Sequence, residues 1–186
     1  MLEFKFGHFS VLETERLLLR KFRLEDAPEL FAQRTNDEVW KYIDKPKTQN
    51  LEEAMELIKK ILAAYENNEG IAWVMELKES EKNIGNISFW RIEKENHRAE
   101  IGYLLLPEYW GKGIVKEAID AVVEYGFREI KIHSIEANVN PNNKASLKLL
   151  EKAGFTQEGY FKENYFYNGK FYDSAIYSVV NPKDEH

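Results

Sequence analysis

Residues 99–125 read AEIGYLLLPEYWGKGIVKEAIDAVVEY, and the rest of the chain is organised around them. The apolar run 99–106 predicts a buried strand that stops at Pro107, because proline has no N–H to give to a sheet ladder. Residues 111–113 are Gly-Lys-Gly, which predicts a turn. Over residues 114–125, apolar side chains recur at three- and four-residue steps, which predicts a helix. The stretch therefore predicts a strand, a glycine turn and a helix in direct succession.

This succession predicts a phosphate-binding site. A glycine turn at a helix start gathers unpaired backbone N–H groups and the positive end of the helix dipole at one spot. A Walker P-loop needs Ser or Thr after its Gly-Lys pair, where this chain has Gly113. A dinucleotide fingerprint needs a third glycine where Lys116 stands. An ordinary glycine turn before a core helix is the structural alternative.

Residues 110–115, WGKGIV, resemble the pyrophosphate loop of the GNAT superfamily of N-acetyltransferases, whose usual form is Q/R-x-x-G-x-G/A. Gly113 matches the central glycine of that pattern. Trp110 departs from it and looks like the RimJ/RimL-like branch, which writes this stretch much as YWGKGI. Val115 also departs, and its side chain is expected where phosphate approaches. The contact itself is made by a backbone N–H, which valine keeps.

Three more stretches carry the same resemblance in the same order along the chain. Residues 14–17, TERL, look like the opening of the RimJ/RimL-like branch, and residues 99–103, AEIGY, look like its fourth strand. Residues 140–146, NPNNKAS, followed by residues 151–155, EKAGF, look like its last conserved block. The resemblance implies a GNAT fold, acetyl-coenzyme A (acetyl-CoA) as donor and a primary amine as acceptor.

Composition limits the partners. The chain has 186 residues, enough for one domain with a full core, and we expect a single domain over residues 1–186. The net charge of −6 argues against a nucleic-acid backbone as main partner and suits a cationic amine. The absence of cysteine excludes thiolate metal sites, and no metal is expected. With no membrane-spanning run and no signal-peptide pattern, we expect a cytoplasmic protein without a membrane partner.

The remaining patterns predict an α+β fold. We expect a single domain with a mixed, mostly antiparallel sheet of six to seven strands and helices on both faces. The predicted strands are 14–20, 71–77, 84–92, 99–106, 134–139, 156–167 and 171–180, the last two joined at Asn168-Gly169. The apolar segment 1–10 is an edge strand or a tail that packs on a partner. Together with the aromatic last hairpin, it suggests a homodimer.

An amine acceptor requires a route for its proton, because an amine must be neutral to attack a thioester. Glu100 is the first candidate for a general base. It shares one strand face with Gly102 and Leu104, and Gly102 leaves space beside the carboxylate. Leu104 is roughly 13 Å further along the strand, so a water relay is expected. The alternatives are a structural pair between Glu100 and Arg98 or another cation, with Glu136, Glu163 or water as base.

The resemblance also implies the other roles. A backbone N–H of Leu104 or Leu105 would hold the oxyanion, in a strand whose ladder is open at that point. Many GNAT enzymes place a tyrosine where this chain has Leu150, and the RimJ/RimL-like branch offers a serine instead, here Ser146. Asn143 would hold the pantetheine arm or that serine; the alternatives are a helix cap and a first-turn residue. The implied cofactor contacts are Leu104, Leu105, Leu106, Gly111, Lys112, Gly113, Ile114, Val115, Lys116, Asn143 and Ser146.

Three functional hypotheses follow. The first is an N-acetyltransferase for a protein N-terminus, as in the RimJ/RimL-like branch acting on ribosomal proteins. The second is the same chemistry on a small amine such as a polyamine, an amino acid or a drug. The third is a coenzyme A-binding module without turnover that acts by protein contact.

Overall fold

The computed structural model describes residues 6–182 and shows one eight-stranded sheet, with the strand order β1-β2-β3-β4-β5-β6-β8-β7. The strands are β1 Leu12–Glu13, β2 Leu17–Lys21, β3 Ile71–Leu77, β4 Lys82–Glu93, β5 Arg98–Leu105, β6 Ser134–Val139, β7 Thr156–Tyr167 and β8 Lys170–Val180. The α-helices are α1 Ala27–Thr35, α2 Asp37–Trp40, α3 Leu51–Glu66, α4 Ile114–Tyr125 and α5 Lys144–Lys152. Short 3-10 turns precede α1 and follow β5, and a π-helical turn continues α4.

The predicted α+β fold with a mixed, mostly antiparallel sheet is confirmed. Every neighbouring pair of strands is antiparallel except β5 and β6, which run parallel. The sheet has eight strands rather than six or seven, because β1 contains two residues and is too short to give a sequence period. Leu2 and Phe4 of the predicted N-terminal segment lie outside the described residues. Phe6 is buried and stacks on Tyr65, with ring centroids 5.4 Å apart.

Helices cover both faces of the sheet, as predicted. Strand β3 shows why, because its side chains alternate between two apolar clusters. Trp73 and Met75 belong to the larger cluster, which contains the apolar face of α4. Val74, between them, belongs to the smaller cluster with apolar residues of α1 and α3. One face of the sheet therefore lies under α1 and α3, and the other under α4.

The sheet opens between its two parallel strands. Strands β5 and β6 pair only at Arg98–Ser134, Ala99–Ile135 and Glu100–Glu136. Beyond Glu100, β5 continues along β4 and β6 continues along β8. The backbone of β5 after Glu100 is thus paired on one side and faces a gap on the other. This gap is the opening in the ladder that the resemblance implies.

An irregularity in β4 lies opposite the same point. The register between β4 and β5 shifts between Phe89 and Arg91, so Trp90 is an extra residue on β4. Its indole lies beside Gly102. A Cβ added to Gly102 would lie 3.4 Å from Cδ1 of the Trp90 ring, in ordinary van der Waals contact. The space that Gly102 leaves is therefore lined by Trp90.

Among residues 6–182, no helix is long and apolar enough to cross a membrane.

Candidate active site

The Gly-Lys-Gly turn and the start of α4 form an anion-binding arrangement. Gly111 and Gly113 have φ angles of +72° and +75°, the left-handed region that favours glycine. The first hydrogen bond inside α4 runs from Glu117 N–H to Gly113 O at 3.1 Å. The N–H groups of residues 114–116 therefore have no acceptor within the helix. Together with the positive end of the helix dipole, they fit a pyrophosphate.

The N-terminal TERL stretch holds this turn from outside. Arg16 Nε donates to Glu117 Oε2 at 2.7 Å, and the Arg16 backbone N–H donates to Oε1 at 2.8 Å. A second guanidinium nitrogen of Arg16 donates to the carbonyl of Lys112 at 2.8 Å. Burial acts to raise the pKa of Glu117, but hydrogen bonds from Thr14 and Arg16 outweigh it and lower the pKa. Arg16 thus connects the turn to the first turn of α4.

The two residues that depart from the usual loop pattern, Trp110 and Val115, both contact the body of the domain. The Trp110 indole N–H donates to the carbonyl of Leu105 at 2.8 Å, which fastens the loop to the end of β5. The Val115 side chain packs against the large apolar cluster. The charged groups on the turn are Lys112, with Nζ 5.5 Å from the Tyr109 ring centroid, and Lys116, paired with Asp120.

The hydrogen-bond register decides which peptide groups of β5 face the gap. Leu106 N–H donates to Ile84 O at 3.0 Å, toward β4. Peptide groups alternate along an antiparallel ladder, so those of Leu104 also point toward β4. The peptide groups of Leu105 point the other way, where its carbonyl accepts from Trp110. Of the two oxyanion donors implied by the resemblance, the geometry favours Leu105.

The side chains of β5 project to both faces of the sheet beside the gap. Through β4, Leu104 aligns with Val74 on the face under α1 and α3, and Glu100 shares that face by alternation. Tyr103 aligns with Trp73 on the face under α4. Because β5 and β6 separate beyond Glu100, a substrate in the gap can meet groups from both faces.

Glu100 is a buried carboxyl group with a raised pKa. The residue is 9% exposed. Burial first, and then the negative charge of Glu136, raise the pKa of Glu100 to about 7. The positive charges of Arg91 and Lys45 and a hydrogen bond from Trp90 act in the opposite direction. A carboxyl group of this kind can exchange a proton near neutral pH.

Arg98 does not form the structural pair with Glu100 that we considered from the sequence. Its guanidinium forms an ion pair with Glu136 on the neighbouring strand. Glu136 is also the register partner of Glu100. The second alternative base, Glu163, lies on the exposed strand β7, where its N–H donates to Asp173 at 2.7 Å.

Ser146 lies on α5 and is part of a hydrogen-bonded pair that sequence reasoning missed. Its Oγ is 2.6 Å from the hydroxyl oxygen of Tyr103. Ser146 is 9% exposed, and burial raises the pKa of Tyr103 to about 12. Asn143 Oδ1 accepts from the Ser146 backbone N–H at 3.1 Å, so Asn143 is the N-cap of α5, as the alternative held. The alternation of β5 shows which side of the strand Tyr103 faces, but it does not identify Ser146 as its partner.

A loop after α2 lies near Trp90 and Glu100, beside the gap. Lys45 Nζ lies 5.0 Å from the Trp90 ring centroid. Asp44 Oδ2 accepts from Asn140 Nδ2 at 3.2 Å, and the Asp44 carbonyl accepts from the Tyr165 hydroxyl at 2.8 Å. The loop is therefore tied to the turn before α5 and to β7.

No group of three or more His, Cys, Asp or Glu side chains within residues 6–182 could hold a metal ion.

Several known proteins are similar to this chain in sequence. The family model described as acetyltransferase (GNAT) domain matches residues 16–156. A protein of Bacillus subtilis (strain 168) named uncharacterized N-acetyltransferase YoaA is 39% identical over 176 residues, covering 95% of this chain and 99% of that protein. The ribosomal protein uS5-alanine N-acetyltransferase of Escherichia coli (strain K12) is 41% identical over 63 residues, covering 34% of this chain and 32% of that protein.

Solved structures share its fold. The microcin C7 self immunity acetyltransferase MccE, solved with acetyl-CoA and AMP, matches with TM-score 0.81 and 29% identity, covering 90% of this chain and 93% of that one. The ribosomal-protein-S5-alanine acetyltransferase of Vibrio fischeri matches with TM-score 0.83 and 25% identity, covering 95% and 100%. The spermidine N-acetyltransferase of Vibrio cholerae, solved with CoA and spermine, matches with TM-score 0.81 and 25% identity, covering 91% and 98%.

Proposed function

The chain belongs to the GNAT family of acetyl-CoA-dependent N-acetyltransferases, and on that premise we propose that its acceptor is the α-amine of a protein N-terminus. The observation that carries this proposal is the pKa of Glu100, about 7, in a carboxyl group beside the open edge of β5. A free α-amine has an ordinary pKa of about 8, whereas a lysine-type amine has one of about 10.4. A base of this strength is therefore matched to an α-ammonium. It is poorly matched to a polyamine.

The relatives support the same acceptor class. The uS5-alanine enzyme of Escherichia coli and the S5-alanine enzyme of Vibrio fischeri are both named for ribosomal protein substrates. The spermidine enzyme of Vibrio cholerae supports the small-amine alternative. The chain's net charge of −6 suits either cationic acceptor. The raised pKa of Glu100 is the observation that supports the α-amine.

We assign the cofactor contacts as follows. The N–H groups of residues 114–116 hold the pyrophosphate of acetyl-CoA, and the two left-handed glycines, Gly111 and Gly113, shape the turn around Lys112. The pantetheine arm lies in the gap between β5 and β6, beside Leu104, Leu105, Leu106 and Asn143. The Leu105 N–H donates to the thioester oxygen and to the oxyanion that develops there.

The proposed reaction uses both faces of the sheet. Glu100 accepts the proton of the α-ammonium through water, and the neutral amine attacks the thioester carbon. The new C–N bond forms and the C–S bond breaks. Ser146 donates a hydrogen bond to the departing sulfur from the opposite face. The first amine proton thus passes to Glu100 and then to solvent, and the nitrogen loses its second proton to water as the tetrahedral intermediate collapses to the amide. CoA leaves as a thiolate that solvent protonates.

A panel of acceptors tests the proposal. One peptide has a free N-terminus and no lysine, a second has a blocked N-terminus and one lysine, and the third acceptor is spermidine. Thiol release and the mass of each product are measured across pH, and we expect the free α-amine to give the highest kcat/KM. Preference for spermidine would establish the small-amine function, and preference for the blocked peptide would establish a lysine side chain as the acceptor; either result would overturn the proposal. Binding of acetyl-CoA without turnover of any amine would establish the non-catalytic module.

We also propose that the chain forms a homodimer through the hairpin β7–β8. Strand β7 is at the edge of the sheet and its residues are exposed along nearly its whole length. The hairpin displays an unusual density of large exposed side chains: Tyr160 at 53%, Phe161 at 52%, Tyr165 at 41%, Phe166 at 59% and Phe171 at 57%. An apolar surface of this kind on an unpaired edge is typical of a protein interface.

A further inference from the structure

Tyr103 and Ser146 form a hydrogen-bonded pair at the gap, on the side of the sheet under α4. The two oxygens are 2.6 Å apart, and the residues come from β5 and α5. Ser146 is held in place by its backbone as well, through the Asn143 cap. The cap holds the backbone of Ser146 and Tyr103 contacts its hydroxyl oxygen, so the direction of the serine proton depends on which of the two hydroxyls donates.

That direction decides what the serine can do. If Ser146 donates to Tyr103, its oxygen presents only lone pairs to the gap. If Tyr103 donates to Ser146, the serine proton is free to point toward a sulfur atom there. A thiolate needs a donor, so only the second arrangement helps the leaving group. Resting on the proposed function, we propose that Tyr103 is a positioning residue that donates to Ser146 and thereby aims the serine proton at the sulfur of CoA.

The same pair is unsuited to deliver a proton outright. A thiol has an ordinary pKa of about 8.5, and burial raises the pKa of Tyr103 to about 12. Transfer from Tyr103 to the thiolate would leave a tyrosinate that is much more basic than the thiolate it protonated. Tyr103 therefore stays neutral and remains a donor throughout the working pH range. The pair stabilises the thiolate by hydrogen bonding, and the thiolate takes its proton later from water.

Binding of free CoA tests this without an acceptor amine. Affinity for CoA and for desulfo-CoA is measured by calorimetry from pH 6 to pH 9 on the parent, Tyr103→Phe, Ser146→Ala and the double variant. We expect the parent to gain affinity for CoA over desulfo-CoA as the thiol ionises. Tyr103→Phe should lose most of that gain, Ser146→Ala should lose it as well, and the double variant should lose no more than Ser146→Ala.

A matched control separates positioning from simple loss of a buried hydroxyl. Tyr177 is buried, and its hydroxyl is hydrogen-bonded to Glu151 at 3.3 Å and Gln157 at 3.2 Å. Tyr177→Phe should keep the full pH-dependent gain for CoA. The proposal is overturned if Tyr103→Phe keeps that gain, or if it lowers affinity for CoA and desulfo-CoA equally. Because no amine is present, these results are independent of the acceptor, and a failed acceptor panel would leave them interpretable.

Turnover gives a second readout once an acceptor is known. Tyr103→Phe should lower kcat by about tenfold, less than the hundredfold or more expected for a group that contacts the reacting atoms, and leave the KM for acetyl-CoA unchanged. In the Ser146→Ala background the same substitution should have no further effect on kcat. An additive loss in the double variant would show that Tyr103 acts independently of Ser146 and would overturn the proposal.

Discussion

Glu100 and Glu136 are register partners in the last pair of the parallel ladder between β5 and β6. Arg98 forms its ion pair with Glu136 rather than with Glu100. The burial of Glu100, and after it the negative charge of Glu136, raise the pKa of Glu100 to about 7. Glu100 can therefore exchange a proton near neutral pH.

The first prediction concerns turnover. Glu100→Gln keeps the size of the side chain and removes its ability to accept a proton, so kcat should fall by about a hundredfold or more at pH 7. Affinity for acetyl-CoA should be unchanged, and the defect should shrink at higher pH, where more of the amine is already neutral. Glu95→Gln, on an exposed glutamate in the β4–β5 turn, is the control. Full activity of Glu100→Gln at pH 7 would make the carboxylate structural.

The second prediction concerns stability. The pKa of Glu100 is raised in the folded chain, so between its ordinary value and about 7 the folded protein holds a proton that the unfolded chain has lost. The contribution of Glu100 to stability therefore falls as pH rises through that window. Thermal unfolding should show Glu100→Gln more stable than the parent at pH 8, with a smaller difference at pH 4. An equal difference at both pH values would mean that the pKa is not raised.

The third prediction tests the origin of that pKa. Glu136→Gln removes the negative neighbour while Arg91 and Lys45 stay in place, so the acid limb of kcat/KM should shift to lower pH. Arg98→Gln leaves the charge of Glu136 without its ion pair, so the limb should shift to higher pH. Opposite displacements in the two pH–rate profiles are the diagnostic result. Displacement in the same direction would show that disruption of β5–β6, rather than charge, is responsible.

The fourth prediction concerns the cofactor loop. Arg16→Met removes hydrogen bonds to Lys112 O and to Glu117, so the KM for acetyl-CoA should rise by about tenfold, as expected for loss of charge-assisted hydrogen bonds, with kcat little changed. Arg128→Met is the matched control, because it removes an exposed ion pair with Glu124 at the other end of the same helical segment. Isothermal titration with CoA measures the effect directly. Equal affinities of the two variants would contradict the proposed role of Arg16.

Local patterns in the sequence predicted the frame of the site. The apolar run ending at Pro107 and the glycines at 111 and 113 predicted β5, the turn and α4, and Asn168-Gly169 predicted the last hairpin. Each of these signals is carried by neighbouring residues whose backbone conformation it restricts.

The contacts that give the site its chemistry could not be predicted in this way. Tyr103 and Ser146 are 43 positions apart, and Arg98 and Glu136 are 38 apart. Their meeting depends on how α5 packs on the sheet and on where β5 and β6 separate. The pairing of Arg98 illustrates the limit, because sequence proximity suggested Glu100 and the parallel ladder supplied Glu136 instead.

The last prediction concerns the proposed homodimer. Phe166 and Phe171 face each other across β7 and β8, with ring centroids 4.9 Å apart, and both are more than half exposed. Burying these rings against a second copy would remove apolar area from water at roughly 25 cal/mol per Å². A carboxylate there would have to be desolvated, so Phe166→Asp combined with Phe171→Asp should yield a monomer in sedimentation at micromolar concentration.

Leu51→Asp, on an exposed apolar residue in the first turn of α3, should leave the dimer intact. Since Phe166 and Phe171 lie at the exposed turn end of the hairpin, outside the buried core, the double variant should keep acetyl-CoA binding. A parent protein that sediments only as a monomer would contradict the proposal.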